Sequence, residues 1–214
     1  MIRSLARRVL RPTGLLGAYW ALTRSALRTE GWLRSIREDA PVDKDGNPLP
    51  WITYPCIEFL TRRLPTCPID VFEWGSGAST RWWARRLARI TSVEHDAAWH
   101  ARSAGSMPAS CNVLLRDVAS PDYVTAIAES GVRFSVVVID GEQRNECGHL
   151  AADHLSDDGI IVWDNTEHED LYANGLGFLA SRGFHRVDFW GMAPLQPWKT
   201  STAILFRPRN LLGI

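Results

Sequence analysis

The stretch that most constrains the fold is FSVVVID at 134–140. Val136, Val137, Val138 and Ile139 are consecutive β-branched residues, so a strand here has two apolar faces. Such a strand must lie between two covering layers, which points to a mainly parallel sheet with helices on both sides. The flanking sequence alternates to match. Apolar runs at 69–74, 90–94, 113–116 and 159–163 read as strands, and helical patterns at 79–89, 97–103, 122–129, 144–155 and 171–182 read as the crossovers. Ser79 or Thr80 is the expected N-cap of the first crossover helix, and Gly183 closes the last. Runs at 185–190 and 200–206 have no long helix between them and suggest an antiparallel pair at one edge.

At 214 residues the chain suits one compact domain with an appendage. Its 24 basic and 24 acidic residues balance, so no global field calls for nucleic acid, and none is expected as a partner. Cys56, Cys67, Cys111 and Cys147 form no CxxC pair and no zinc-like cluster; reduced thiols in a cytoplasmic protein are expected. The best apolar run, 15–22, contains Gly17 and Tyr19 and falls short of the roughly 20 residues that span a bilayer. No convincing cleavage site follows it, so export is not expected.

The N-terminal segment stands apart. Up to Arg37 it carries eight arginines against Glu30 alone. Leu5, Val9 and Leu10, then Leu16, Tyr19, Trp20 and Leu22, fit helical spacing interrupted by Pro12 and Gly14. One or two basic amphipathic helices are expected. They are read as a cap on the catalytic unit, with a weak membrane-surface contact as the alternative. The polar stretch DKDGNPLP at 43–50 reads as a linker, which divides the chain into a cap at 1–50 and a main domain at 51–214.

The stretch VFEWGSGAST, 71–80, ends a strand and opens a helix. Gly75 and Gly77 allow a sharp turn and close approach of a ligand. Glu73, two positions before the first glycine, would repel a pyrophosphate but suits the α-ammonium of S-adenosylmethionine, directly or through water. Thr80 stands where a dinucleotide loop has its third glycine. Glu94, about 20 residues past the loop at the end of the next strand, can accept ribose hydroxyls for either ligand class. Asp117 ends the third strand, placed either for an adenine amino group with Val118 beside the ring or as a helix N-cap. Asp140 ends the fourth strand, and Asp164 and Asn165 the fifth. These three hard oxygen donors suit a divalent cation such as Mg²⁺, which would lower the pKa of an acceptor hydroxyl. Their alternative role is structural, as turn caps and cofactor support. His168, just beyond, is the first candidate base among several histidines. Arg144 stays protonated and cannot be the base.

The order Glu-x-Gly-x-Gly, an acid after strand two, Asp117 and then Asp140 is similar to class I S-adenosylmethionine-dependent methyltransferases, from about Trp51 to the C-terminus. PWITYPCIEFL, VFEWGSGAST, SVEHD and VVVIDGEQRNECG resemble a group of small bacterial methyltransferases of unassigned substrate. The resemblance implies a Rossmann-like α/β sheet of order 3-2-1-4-5-7-6 with strand seven antiparallel, preceded by a helical extension. It implies cofactor contacts at Glu73, Gly75, Gly77, Glu94, Asp117 and Asp140, with Ser76, Ser79, His95 and Val118 beside them. The acids at 140 and 164 also resemble metal-dependent O-methyltransferases, though the lysine of the catechol type is missing after Asp140. The expected function is therefore O-methylation of a small-molecule hydroxyl by Asp140, Asp164 and His168, with Mg²⁺ assisting. An inactive methyltransferase-like scaffold and a nucleotide-dependent oxidoreductase are the competing readings.

Overall fold

The computed structural model describes residues 12–86 and 88–214. Leu5, Val9 and Leu10 of the expected amphipathic pattern lie outside them. The core is a sheet of β1 (Ile69–Trp74), β2 (Ala88–Glu94), β3 (Cys111–Leu115), β4 (Phe134–Ile139), β5 (Leu155–Asp164), β6 (His185–Gly191) and β7 (Thr200–Phe206). Their order is β3-β2-β1-β4-β5-β7-β6. The first five run parallel, and β7 is antiparallel to both β5 and β6. Both faces of β4 are covered, as its composition requires. Val137 and Ile139 join the layer holding Phe72, Trp74, Tyr123 and Trp163, while Val136 and Val138 face Val71, Trp82 and Ile160. Each such fully buried apolar side chain contributes roughly 1.5–3 kcal/mol.

Ahead of the sheet come α1 (Leu15–Arg24), α2 (Ala26–Thr29), α3 (Trp32–Glu38) and α4 (Tyr54–Arg63). The crossovers are α5 (Ala78–Ala84), α6 (Ala97–Ala104), α7 (Pro121–Thr125) with a 3₁₀ turn at Ala126–Ala128, and α8 (Arg144–His154). Between β5 and β6 lies α9 (Glu169–Ser181). Local chemistry sets their starts. Asp96 accepts bonds from the N–H groups of Ala98 and Trp99, and Ser120 from Asp122 with Pro121 at the first helical position.

Three boundaries differ from the sequence reading. Helix α5 stops at Ala84, and Arg89 joins β2, where it pairs across the strands with Asp70 at 2.8 Å. The fifth strand begins at Leu155 rather than 159, with a register shift opposite Phe134–Val136. Packing against the sheet also begins before residue 50. Gly31, Ser35, Val42 and Leu49 are buried, and the Trp32 indole donates to the Gln196 carbonyl at 3.1 Å. Helix α1, by contrast, has no buried residue.

Candidate active site

The carboxyl ends of β1, β2 and β4 open on a cavity of about 550 Å³. Its floor is the turn from β1 into α5. Gly75 and Gly77 have φ of +107° and +153°, which side-chain-bearing residues rarely adopt. A Cβ at Gly75 would stand 3.3 Å from the Asp140 carbonyl oxygen, and one at Gly77 3.3 Å from the Trp99 ring. The Trp99 indole donates to the Ser76 carbonyl at 2.9 Å and so ties the loop to α6. Nothing in the sequence pattern singled out this tryptophan.

Glu73 lies beneath the loop and does not line the cavity. Its Oε2 accepts the Thr80 hydroxyl at 2.7 Å and the Ser92 hydroxyl at 2.9 Å, while Thr80 Oγ1 accepts the Gly77 N–H at 3.0 Å. Thr80, the residue that breaks the dinucleotide pattern, is thus the link that fastens the loop to the strand beneath it. Burial pushes the Glu73 carboxyl up to about 7, against the pull of its hydroxyl donors. Its Oε1 is buried and has no partner among the described residues.

Glu94 lines the cavity from the end of β2. Its Oε2 accepts the Ser76 hydroxyl at 2.7 Å, and its Oε1 the N–H groups of His95 and Asp96 at 2.9 Å. Ser76, Ser79 and His95 also line the space. Asp117 and Val118 do not. Asp117 is exposed and accepts the Ala119 N–H at 2.9 Å in a local turn; the N-cap of α7 is Ser120, so the N-cap role weighed for Asp117 is not formed. The Val118 carbonyl accepts from the Gln143 side chain.

On the far side the expected metal triad is reorganised around a cation the chain itself supplies. Arg144, first residue of α8, donates from its Nη2 to Asp140 Oδ1 at 3.3 Å and from its Nη1 to Asn165 Oδ1 at 3.1 Å and to the Asp164 carbonyl. Its Nε donates to the Gly141 carbonyl at 2.8 Å. The guanidinium takes Asp140 Oδ1, Asn165 Oδ1 and the Asp164 carbonyl, and no cluster of metal-ligating side chains occurs among the described residues, so the Mg²⁺ site expected at Asp140, Asp164 and Asn165 finds no support. Asp164 is buried, does not line the cavity, and accepts the Thr202 hydroxyl. Thr202 Oγ1 in turn accepts the Thr53 N–H at 3.0 Å, so Asp164 anchors the start of α4 rather than reaching a substrate. Asn165, with φ of +59°, turns its amide toward Thr200. His168 is exposed beside Glu167 in a separate shallow groove with Trp190, and is not placed to act in the cavity.

Asp140 does line the cavity. Burial raises its carboxyl pKa, Arg144 lowers it, and the rise prevails. Asp164 is raised further by burial and by the Asp140 charge. The remaining wall comes from distant sequence: Asp39, Ala40 and Pro41, then Trp51, then Leu195. Asp39 and Leu195 hold positive φ of 48° and 69°, unusual for residues with side chains, and Gln143 and Asn165 share that strain next to Arg144.

No family model and no curated protein matches the chain. Solved structures do. The chain superposes on a precorrin-6y C5,15-methyltransferase from Geobacter metallireducens with a TM-score of 0.52 at 13% identity, covering 79% of this chain and 94% of that one. A Streptococcus mutans protein described as a methyltransferase, solved with S-adenosylhomocysteine, gives 0.53 at 10% identity, covering 72% and 99%. The fold is that of the class I methyltransferases. A spermidine synthase from Thermotoga maritima also matches, with 0.53 at 16% identity over 72% of this chain and 57% of that one. The methyltransferase fold thus carries more than one activity, and the reaction has to be argued from the site.

Proposed function

We propose that this chain transfers a methyl group from S-adenosylmethionine to a hydroxyl of a small molecule. The observation that carries the proposal is the shared cavity: the Gly75–Ser79 backbone, the Glu94 carboxylate and the Asp140 carboxylate border one space at the carboxyl edge of a methyltransferase sheet. The residues fit the cofactor. The Cβ-free turn lets the Asp140 backbone and the Trp99 ring pack directly on the loop, which shapes the cavity floor. Glu94 and His95 suit ribose hydroxyls, and the unpartnered Glu73 Oε1 leaves an acceptor beneath the loop for a water bridging to the ligand's ammonium. Bound there, S-adenosylmethionine supplies a methyl carbon already activated by its sulfonium.

The chain's own work is then alignment, exclusion of water and removal of one proton. Asp140 lines the cavity with a raised pKa and takes the proton from the acceptor hydroxyl, a task best served by a base whose pKa approaches the working pH. Arg144 holds that carboxylate in position while staying protonated. Trp51, Leu195 and Asp39–Pro41 wall off the acceptor side.

Incubation with methyl-labelled S-adenosylmethionine and a panel of small hydroxyl compounds tests the reading. Acceptor-dependent release of S-adenosylhomocysteine with label stable to alkali is expected. Label lost in mild alkali would mark a carboxylate acceptor, and label on nitrogen would overturn the hydroxyl assignment.

A further inference from the structure

Helices α1 and α2 bury none of their residues, and α1 is the longer of the two. Leu15, Tyr19 and Leu22 follow the i, i+4, i+7 spacing of a single helical face, and they are 59%, 55% and 56% exposed. Trp20 and Arg24 sit beside that stripe one turn apart, with Trp20 44% exposed. Placing such a stripe in water carries a cost that no packing among the described residues offsets. The neighbouring surface carries both signs: Arg34 and Arg37 share Glu38, and Lys44 pairs with Asp45. Arg28, Arg34, Arg37 and Lys44 line a small cleft with Leu33, and Arg24 and Arg28 make no ion pair among the described residues.

We propose that residues 15–44 form a docking surface for an anionic membrane, with the Leu15–Tyr19–Leu22 stripe entering the headgroup boundary and the arginines meeting lipid phosphates. An apolar stripe with an arginine-rich flank is the combination that binds such an interface. Nucleic acid would use the arginines but leave the stripe in water. A second copy would cover the stripe but bring Arg24 and Arg28 of each chain, neither ion-paired among the described residues, against those of the other. No helix among the described residues is long and apolar enough to cross a membrane, so the contact is at the surface. The surface is close to the chemistry: α3 carries Arg34 and Arg37, and Asp39, which follows its last residue, lines the cavity.

Co-sedimentation of the full chain with vesicles tests this. Binding is expected to an equal mixture of phosphatidylcholine and phosphatidylglycerol, and only weakly to phosphatidylcholine alone. Binding to the mixture should fall with salt, and Arg24→Ala and Arg28→Ala should each weaken it about five-fold. A Leu15→Ser, Tyr19→Ser, Leu22→Ser variant should lose binding while its circular dichroism and urea midpoint stay those of the wild type, since none of the three side chains is buried. The proposal is overturned if the wild type ignores the anionic vesicles, if the triple variant binds as well as the wild type, or if duplex DNA competes the chain off them. It is equally overturned if light scattering shows a dimer that the triple substitution dissociates while vesicles bind neither form. Each of these readouts is independent of methyl transfer.

Discussion

The β1–β2 rim of the cavity and the β4–β5 rim are built on different plans. On the first, backbone does the shaping. Two glycines of positive φ, one buried carboxylate beneath them and one at the next strand end define the floor, all within 22 residues from Glu73 to Glu94. On the second, side chains do it. Arg144 draws together Asp140, Asn165 and two carbonyls, and the wall is finished by segments more than 150 residues apart. A binding floor of backbone and short hydrogen bonds serves a ligand that does not vary. A rim of side chains on separate elements can be altered piece by piece, which suits the half of the site that faces an acceptor.

The largest expected effect lies on the second rim. Asp140→Asn keeps the shape and removes the proton acceptor, so transfer should fall by about 10²–10⁴-fold, the usual contribution of a positioned base. Affinity for S-adenosylhomocysteine should stay nearly unchanged, measured by titration alongside the rate. Equal loss of both would put Asp140 in the cofactor half and erase the division. Next comes Arg144→Met, which leaves two neighbouring carboxylates without their cation. Losing these charge-assisted hydrogen bonds of a partly buried pair costs about 1.5–3 kcal/mol, to be read from urea unfolding. A chelator should leave the wild-type rate unchanged, because the guanidinium already occupies the oxygens. A rate lost to chelation and restored by Mg²⁺ would contradict that assignment.

The floor should show itself in pH dependence. Glu73 is raised to about 7 in the folded chain. The unfolded chain ionises first as pH rises, so stability is highest below the ordinary carboxyl pKa of about 4.5 and declines through about 7. The loss should approach about 3 kcal/mol from this group, with Asp140 and Asp164 adding in the same direction. Urea midpoints at about pH 5 and about pH 8 check it, and Glu73→Gln should flatten the curve. An unchanged slope in that variant would mean Glu73 ionises as freely folded as unfolded.

The contrast between the rims also explains what could be read from sequence. The sheet, its order and the glycine turn follow from local pattern: β-branched runs, a strand-to-helix glycine pair, an acid at each strand end. Glu73 and Glu94 were found that way, although Glu73 proved to hold the loop from below. The acceptor side defeated the same logic. Asp140, Asp164 and Asn165 look like a hard-ion triad in one dimension, and only the reach of Arg144 from the start of α8 shows the charge already met. His168 follows the Asp164–Asn165 turn in sequence, but the chain carries it away to another groove. Asp39 and Leu195 reach the wall through positive-φ turns that no composition rule signals.

The central claim is that the Gly75–Glu94 floor binds S-adenosylmethionine. Isothermal titration of S-adenosylhomocysteine into the wild type and the Glu94→Ala variant tests it most directly. One site per chain is expected in the wild type, weakened in the variant by roughly 1–3 kcal/mol, the cost of losing a charged hydrogen-bond partner. No heat in the wild type, or identical affinity in the variant, would contradict it.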